Sequence, residues 1–191
     1  MNKLALISLL LLLLSSIVSW FTLEGQTSES EGYVKMEVNP SSLLWWTTHD
    51  QKSSLSRGYS IIDWMSRNGM LPASSRQKIG ISKSFFLLSS IAHFGGLLMM
   101  LWGGIVSSKS RLQISTVLIF LGMLFFVLGI AVMDIPMTNE IVVNESTWVR
   151  WSPSVGIYIE FTAGLLSAIA LLILIITGPR RHPLYRIMRR R

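Results

Sequence analysis

Two ionisable side chains stand inside long apolar stretches of this chain: His93, about nine residues into one, and Glu160, about five into another. Such groups are the first place to look for chemistry, because an apolar surrounding tolerates them only when they are paired or put to use. If both stretches run inward from the same face, the two residues differ in depth by about 6 Å at 1.5 Å rise per residue, within reach of each other's side chains. The expected bonding is modest: Glu160 turned toward the outer interface, and a neutral His93 hydrogen-bonded to a neighbouring helix. The rest of the chemical inventory is thin. Of the 3 histidines, His49 and His182 fall in other segments, so no shared metal is expected. The chain has no cysteine, which excludes a thiolate nucleophile, a Cys-ligated metal, a disulfide and a palmitoyl-cysteine. It contains no Gly-x-Ser-x-Gly, no His-Glu-x-x-His and no phosphate loop. One His and one Glu make neither a metal site nor a proton pathway, so neither an enzyme nor a cofactor is expected.

The elements that must position these residues are membrane-length helices. Of 191 residues, 50% are hydrophobic and only 14% are charged. A soluble domain of this size carries more charge. Four stretches, about 4–23, 84–106, 112–133 and 155–177, each have the roughly 20 apolar residues that cross about 30 Å of hydrocarbon as a helix. The expected fold is an all-α membrane protein: a single domain, 1–191, built as a four-helix transmembrane bundle. Two outer loops (24–83 and 134–154), a short turn and a tail (178–191) complete it, with a small extracellular antiparallel β-sheet in the first outer loop.

Charge sets the orientation. Lys3, the turn residues Lys109 and Arg111, and the tail cluster Arg180, Arg181, Arg186, Arg189, Arg190 and Arg191 all fall on one side of four spans. By the excess of Lys and Arg on cytoplasmic loops, both termini are expected in the cytosol, in the plasma membrane or the secretory pathway. The tail would face anionic lipid headgroups, each basic residue gaining about 1 kcal/mol near such a surface. The net charge of +7 is almost the tail's own, and the basic residues flank spans without interleaved aromatics, so nucleic acid is excluded as a partner. Asn144-Glu145-Ser146 is a glycosylation sequon in the second outer loop, whereas Asn39-Pro40-Ser41 is disqualified by its proline. The first stretch also reads as a signal peptide, opening with Met1-Asn2-Lys3. Its apolar run continues through Trp20, Phe21 and Leu23, which favours a retained span.

Helices in lipid associate through small residues that let backbones approach. The second stretch offers Ser89, Ala92, Gly96 and Gly103, the third Gly122 and Gly129, the fourth Ala163, Ser167 and Ala170. The first is mostly Leu until Ser15, Ser16 and Ser19 and is expected at the periphery. Trp20, Trp102, Trp148 and Trp151 fall at the ends of spans, where tryptophan anchors at the interface. In the long loop, Val34, Met36 and Val38 alternate with polar partners, a strand period. Ser42–Thr48 and Gly58–Met65 read as further strands, the three parted by the turn formers Asn39-Pro40-Ser41 and then His49 to Arg57. Lys35, Lys52, Arg57, Arg67, Arg76, Lys78 and Lys83 make this loop the main exception to the charge rule.

The order of features resembles the claudin and peripheral-myelin-protein-like superfamily of four-span membrane proteins. The resemblance rests on Trp20 at the outer end of the first span, on Leu44-Trp45 where that family has Gly-Leu-Trp, and on Leu71-Pro72 before the second span. It rests also on Lys109-Ser110-Arg111 followed by Gly122 and Gly129, and on Gly156-Ile157-Tyr158 opening the fourth span. The chain departs from the family in lacking the two loop cysteines that follow Gly-Leu-Trp and the scaffold-binding Tyr-Val end that many claudins carry. The resemblance implies a divergent member in which adhesion, or contact with other membrane proteins, runs through the outer loops. Trp45, Trp46, Tyr59 and Trp64 are the candidate partner-binding residues. Two alternatives stand beside this reading: an accessory subunit of a channel or transporter complex, and an ion-permeation or barrier protein. An intramembrane enzyme would need His93 or Glu160 as its working group.

Overall fold

The computed structural model describes residues 3–26, 33–48, 73–106, 108–133 and 148–177. In chain order these form α1 (Lys3–Ser15), β1 (Phe21–Gln26), β2 (Tyr33–Val38), α2 (Pro40–Thr48), α3 (Ala73–Val106), α4 (Lys109–Val132), β3 (Trp148–Pro153) and α5 (Val155–Thr177). Three helices are long and apolar enough to cross a membrane, over Gln77–Gly103, Lys109–Val132 and Val155–Thr177. The last two match expectation closely. α3 begins earlier, so Arg76, Lys78 and Lys83 lie on its first turns and not in a loop.

The first apolar stretch differs from the expected span of 4–23. Its helix stops at Ser15, and 13 residues rise only about 20 Å. The cause is in the backbone. The last i→i−4 bonds, from the Ser16 N–H to the Leu12 carbonyl (3.0 Å) and from the Val18 N–H to the Leu14 carbonyl (3.1 Å), are followed by none. The Trp20 N–H donates to the Val38 carbonyl and the Trp20 carbonyl accepts from the Ser154 N–H, each at 2.8 Å. Those two bonds draw the chain into the sheet just where the apolar run continues.

The sheet is three-stranded and antiparallel, in the order β2-β1-β3. Phe21 pairs with Val38 on one side and Pro153 on the other; Gln26 pairs with Tyr33 and Trp148. The strand expected over 34–38 is present. The sheet is not confined to the first loop, however, because β3 comes from residues that precede the last helix. Ser42–Thr48, expected as a strand, is helix α2. The Asn39-Pro40-Ser41 turn is in fact a helix start. Asn39 Oδ1 accepts from the Ser42 N–H (2.8 Å), Ser42 Oγ accepts from the Asn39 N–H (3.0 Å), and Pro40 takes the first helical position. This reciprocal cap overrides the apolar, strand-like composition of Leu43-Leu44-Trp45-Trp46. The strand expected over 58–65 lies outside the described residues.

Packing follows the small residues. α3 packs most extensively on α4, α1 on α5, α4 on α5, and α2 on α3. Ser115 donates to the Gly96 carbonyl (2.7 Å), Ser82 to the Gly129 carbonyl (2.5 Å), and Thr116 and Ser167 share a bond of 2.6 Å. α1 is not peripheral. Ala5, Leu9 and Leu12 join one buried cluster with Met100, Leu112, Ile119, Ala163 and Ala170. Ser8 also donates to the Ala163 carbonyl across the α1–α5 seam at 2.7 Å.

At the sheet end an aromatic group closes the core. Phe126 lies 5.3 Å from Trp20, 5.2 Å from Phe21 and 5.5 Å from Phe86 between ring centres. Trp20 and Trp151 are fully buried, which corrects their expected place as interface anchors. Trp102 remains an exposed residue, as an anchor should be.

Candidate functional site

Three helices meet just below the sheet. α1 ends there with Ser15 and Ser16, α3 passes with His93 on its inner face, and α5 starts there, bringing Glu160 inward from its second turn. Two glycines permit the approach. A Cβ on Gly122 of α4 would meet the Ser89 carbonyl oxygen at 3.3 Å and the His93 backbone nitrogen at 3.4 Å. A Cβ on Gly156 would lie 2.5 Å from the Ser19 carbonyl oxygen, which the Gly156 N–H itself bonds at 2.8 Å.

The side chains form a continuous chain of bonds. Trp20 Nε1 donates to Ser15 Oγ (2.7 Å) and to the Ser15 carbonyl (3.0 Å). Ser15 Oγ donates to Glu160 Oε2 (2.7 Å). Glu160 Oε1 lies 3.0 Å from His93 Nδ1, and His93 Nε2 lies 2.8 Å from Ser16 Oγ. The Trp20 ring stands edge-on to the imidazole with centres 5.6 Å apart. His93 and Glu160 are 0% exposed. The expectation that the two could meet holds; the expectation that Glu160 reaches the interface does not.

The Ser16 hydroxyl lies within bonding distance of both the Leu12 carbonyl (2.9 Å) and His93 Nε2 (2.8 Å), and the imidazole tautomer sets which of them takes its one proton. Ser15 donates to Oε2, which leaves Oε1 facing Nδ1. Both carboxylate oxygens and both ring nitrogens are thus bonded. A buried group with this many partners avoids the several kcal/mol that burying it unpaired would cost. The cluster thereby ties the end of α1 to α3 and α5, with Trp20, the first sheet-bonded residue, as its lid.

The order hydroxyl, imidazole, carboxylate in Ser16, His93 and Glu160 is also that of a serine-hydrolase relay. The surroundings differ from such a site. Ser16 is only 7% exposed, and its hydroxyl is bonded to the Leu12 carbonyl of its own helix. The relay is covered by the Trp20 ring, itself packed on Phe126.

The other candidates are not brought to this cluster by anything described. Trp45 and Trp46 are residues of α2. Tyr59, Trp64, Asn144, and the tail arginines Arg180, Arg181, Arg186, Arg189, Arg190 and Arg191 lie outside the described residues, as do His49 and His182. Sequence reasoning missed Ser15, Ser16 and Trp20 as partners of the charged pair. A signal was there: two adjacent hydroxyls, Ser15 and Ser16, ending a run that is apolar from Leu9 to Leu14, at the sheet-proximal depth of Glu160.

Fold and site together define a mainly helical protein with three helices of membrane-crossing length and apolarity, capped at one end by a three-stranded antiparallel sheet over a buried polar cluster. No protein-family model and no curated protein sequence matches the chain.

Proposed function

We propose that this chain is a non-enzymatic, claudin-like integral membrane protein with four spans and both termini in the cytosol, engaging another membrane protein through its outer segments. One observation carries the reading. β1 lies between β2 and β3, so the segment after α1 and the segment before α5 are one hydrogen-bonded unit. That unit is fastened to the helices at several points. The Trp20 and Trp151 side chains are buried beneath it, Ser41 donates to the Ser16 carbonyl (2.8 Å), and Ser90 of α3 donates to the Pro40 carbonyl (3.0 Å). A pre-formed platform loses little entropy on binding a partner, which is what a recognition surface requires. The hydroxyl–imidazole–carboxylate cluster is part of the fastening: saturated internally, it supports a structural role and not turnover. On this reading α1 with residues 16–20 completes the first crossing, and the tail arginines rest on anionic headgroups.

Trp45 and Trp46 of α2 remain the residues to test. Crosslinking on intact cells should capture a membrane partner with the native chain, and a Trp45→Ala, Trp46→Ala double variant that still reaches the surface should lose it. Retention of every partner by that variant would sink the proposal. If the partner instead survives exchange of the whole 24–83 segment, lateral association through the helices, as in an accessory subunit, becomes the better account.

A further inference from the structure

We infer that the turn between α3 and α4 holds a binding site for one phospholipid with an anionic headgroup. At this end of the helices the Arg111 guanidinium lies over the Trp102 ring, 3.7 Å from its centre. Beside the pair runs a shallow apolar groove lined by Leu98, Met99, Leu101 and Trp102. Leu98 is 62% exposed, Leu101 42% and Trp102 55%. The close crossing that allows this comes from Gly103, where a Cβ would sit 3.0 Å from Arg111 Cβ.

Charge identifies the occupant. All 10 acidic side chains of the chain lie in 24–63, in 134–145 or at Glu160, so none neighbours this turn in sequence. Lys109 and Arg111 thus lack a carboxylate from their own turn or from the helix ends beside it. Stacking on an aromatic face fixes a guanidinium while leaving its N–H edge free to grip an oxyanion in bidentate fashion. A phosphate there continues directly into the groove, where an acyl chain covers the exposed leucines. An amphipathic ring with a cation above it and an apolar trough below fits one molecule that is anionic at one end and aliphatic along its length. The site needs the helices to stand in lipid. It does not depend on what the sheet binds.

The full chain, purified in mild detergent, is offered equal amounts of phosphatidylglycerol and phosphatidylcholine, and retained lipid is read by native mass spectrometry. Phosphatidylglycerol should be retained preferentially. Arg111→Gln should lower its retention about fivefold, the loss expected for one basic residue at an anionic surface. Leu98→Trp fills the groove, leaves the cation in place and should also lower it. A variant with alanine at Arg180, Arg181, Arg186, Arg189, Arg190 and Arg191 should keep the preference, which separates this site from the tail. Millimolar glycerol phosphate should not displace the lipid. Equal retention of the two lipids, undiminished retention by Arg111→Gln, loss of the preference in the tail variant alone, or displacement by glycerol phosphate would each overturn the inference. Both substituted side chains are solvent- or lipid-accessible, and unchanged melting of the variants confirms that binding and not folding is being read.

Discussion

His93 Nδ1 lies 3.0 Å from Glu160 Oε1, across 67 residues of chain and with both side chains wholly buried. Removing one partner leaves the other polar and unpaired in the core, so His93→Ala and Glu160→Ala should each cost about 3 kcal/mol of stability. Glu160→Gln should cost under about 1 kcal/mol, because the amide supplies an N–H toward Nδ1 and keeps an oxygen for Ser15. A His93→Leu, Glu160→Leu double variant should recover most of either single alanine loss, since packed apolar residues replace a buried pair well. Thermal or dodecyl-sulfate unfolding in micelles measures all four. A Glu160→Gln variant as damaged as Glu160→Ala would show that the pair depends on full charge.

Trp20→Phe keeps the ring edge toward His93 and Phe126 and removes the donor to Ser15. The Ser15 hydroxyl retains Glu160, so the loss is that of one buried hydrogen bond, about 1 kcal/mol. Trp20→Ala also opens a cavity beside Phe126, and a loss of about 3–5 kcal/mol is expected. The ratio of the two melting shifts checks this.

Glycine positions give a graded series. A Cβ at Gly129 would lie 2.6 Å from the buried Phe86 ring, and one at Gly156 the same distance from the Val18 carbonyl oxygen, whereas Gly80 has open space around it. Gly129→Ala should cost about 1–3 kcal/mol by overpacking, and Gly156→Ala more, because backbone cannot swing aside. Gly80→Ala should be neutral or stabilising by up to about 1 kcal/mol through helix propensity. Equal melting temperatures for the three would contradict the close approaches described.

Asn39→Ala removes the cap of α2 and a bond from Nδ2 to the Ile17 carbonyl (3.1 Å). About 1 kcal/mol should be lost, confined to α2 and its seat on α3. Limited proteolysis should speed up in the segment around 40–48 while the global melting temperature moves little.

Orientation has a direct test. Made in a glycosylating secretory system, the chain should show a mobility shift that Asn144→Gln abolishes, which requires the 134–154 segment to face the lumen. A tag after Arg191 should be reached by antibody only in permeabilised cells.

Much of the helical framework was legible. Apolar runs of membrane length name α3, α4 and α5 directly, since such a run is stable as a helix without help from distant residues. The meeting of His93 and Glu160 was legible as a matter of depth, because residue count along a long helix measures height at about 1.5 Å per residue. The sheet was legible only at β2, where Val34, Met36 and Val38 alternate. β1 is hidden in an apolar stretch that reads as span, and β3 is a short segment with two tryptophans placed at a membrane interface by composition. Neither pattern specifies a partner. α2 was misread because Asn39-Pro40-Ser41 serves equally to turn a hairpin and to start a helix, and the bond to Ser42 decides between them.

The amino-acid order alone thus determined which segments are apolar enough to cross a membrane, where the basic residues cluster, and which chemistries lack their residues. These depend on side-chain type and run length, properties each segment carries by itself. Tertiary structure decided where α1 ends, that β1 and β3 pair, which face of Glu160's helix turns inward, and that Ser15, Ser16 and Trp20 saturate the buried pair. Those outcomes hang on hydrogen bonds between residues up to 145 positions apart, formed only once small side chains let the helices close.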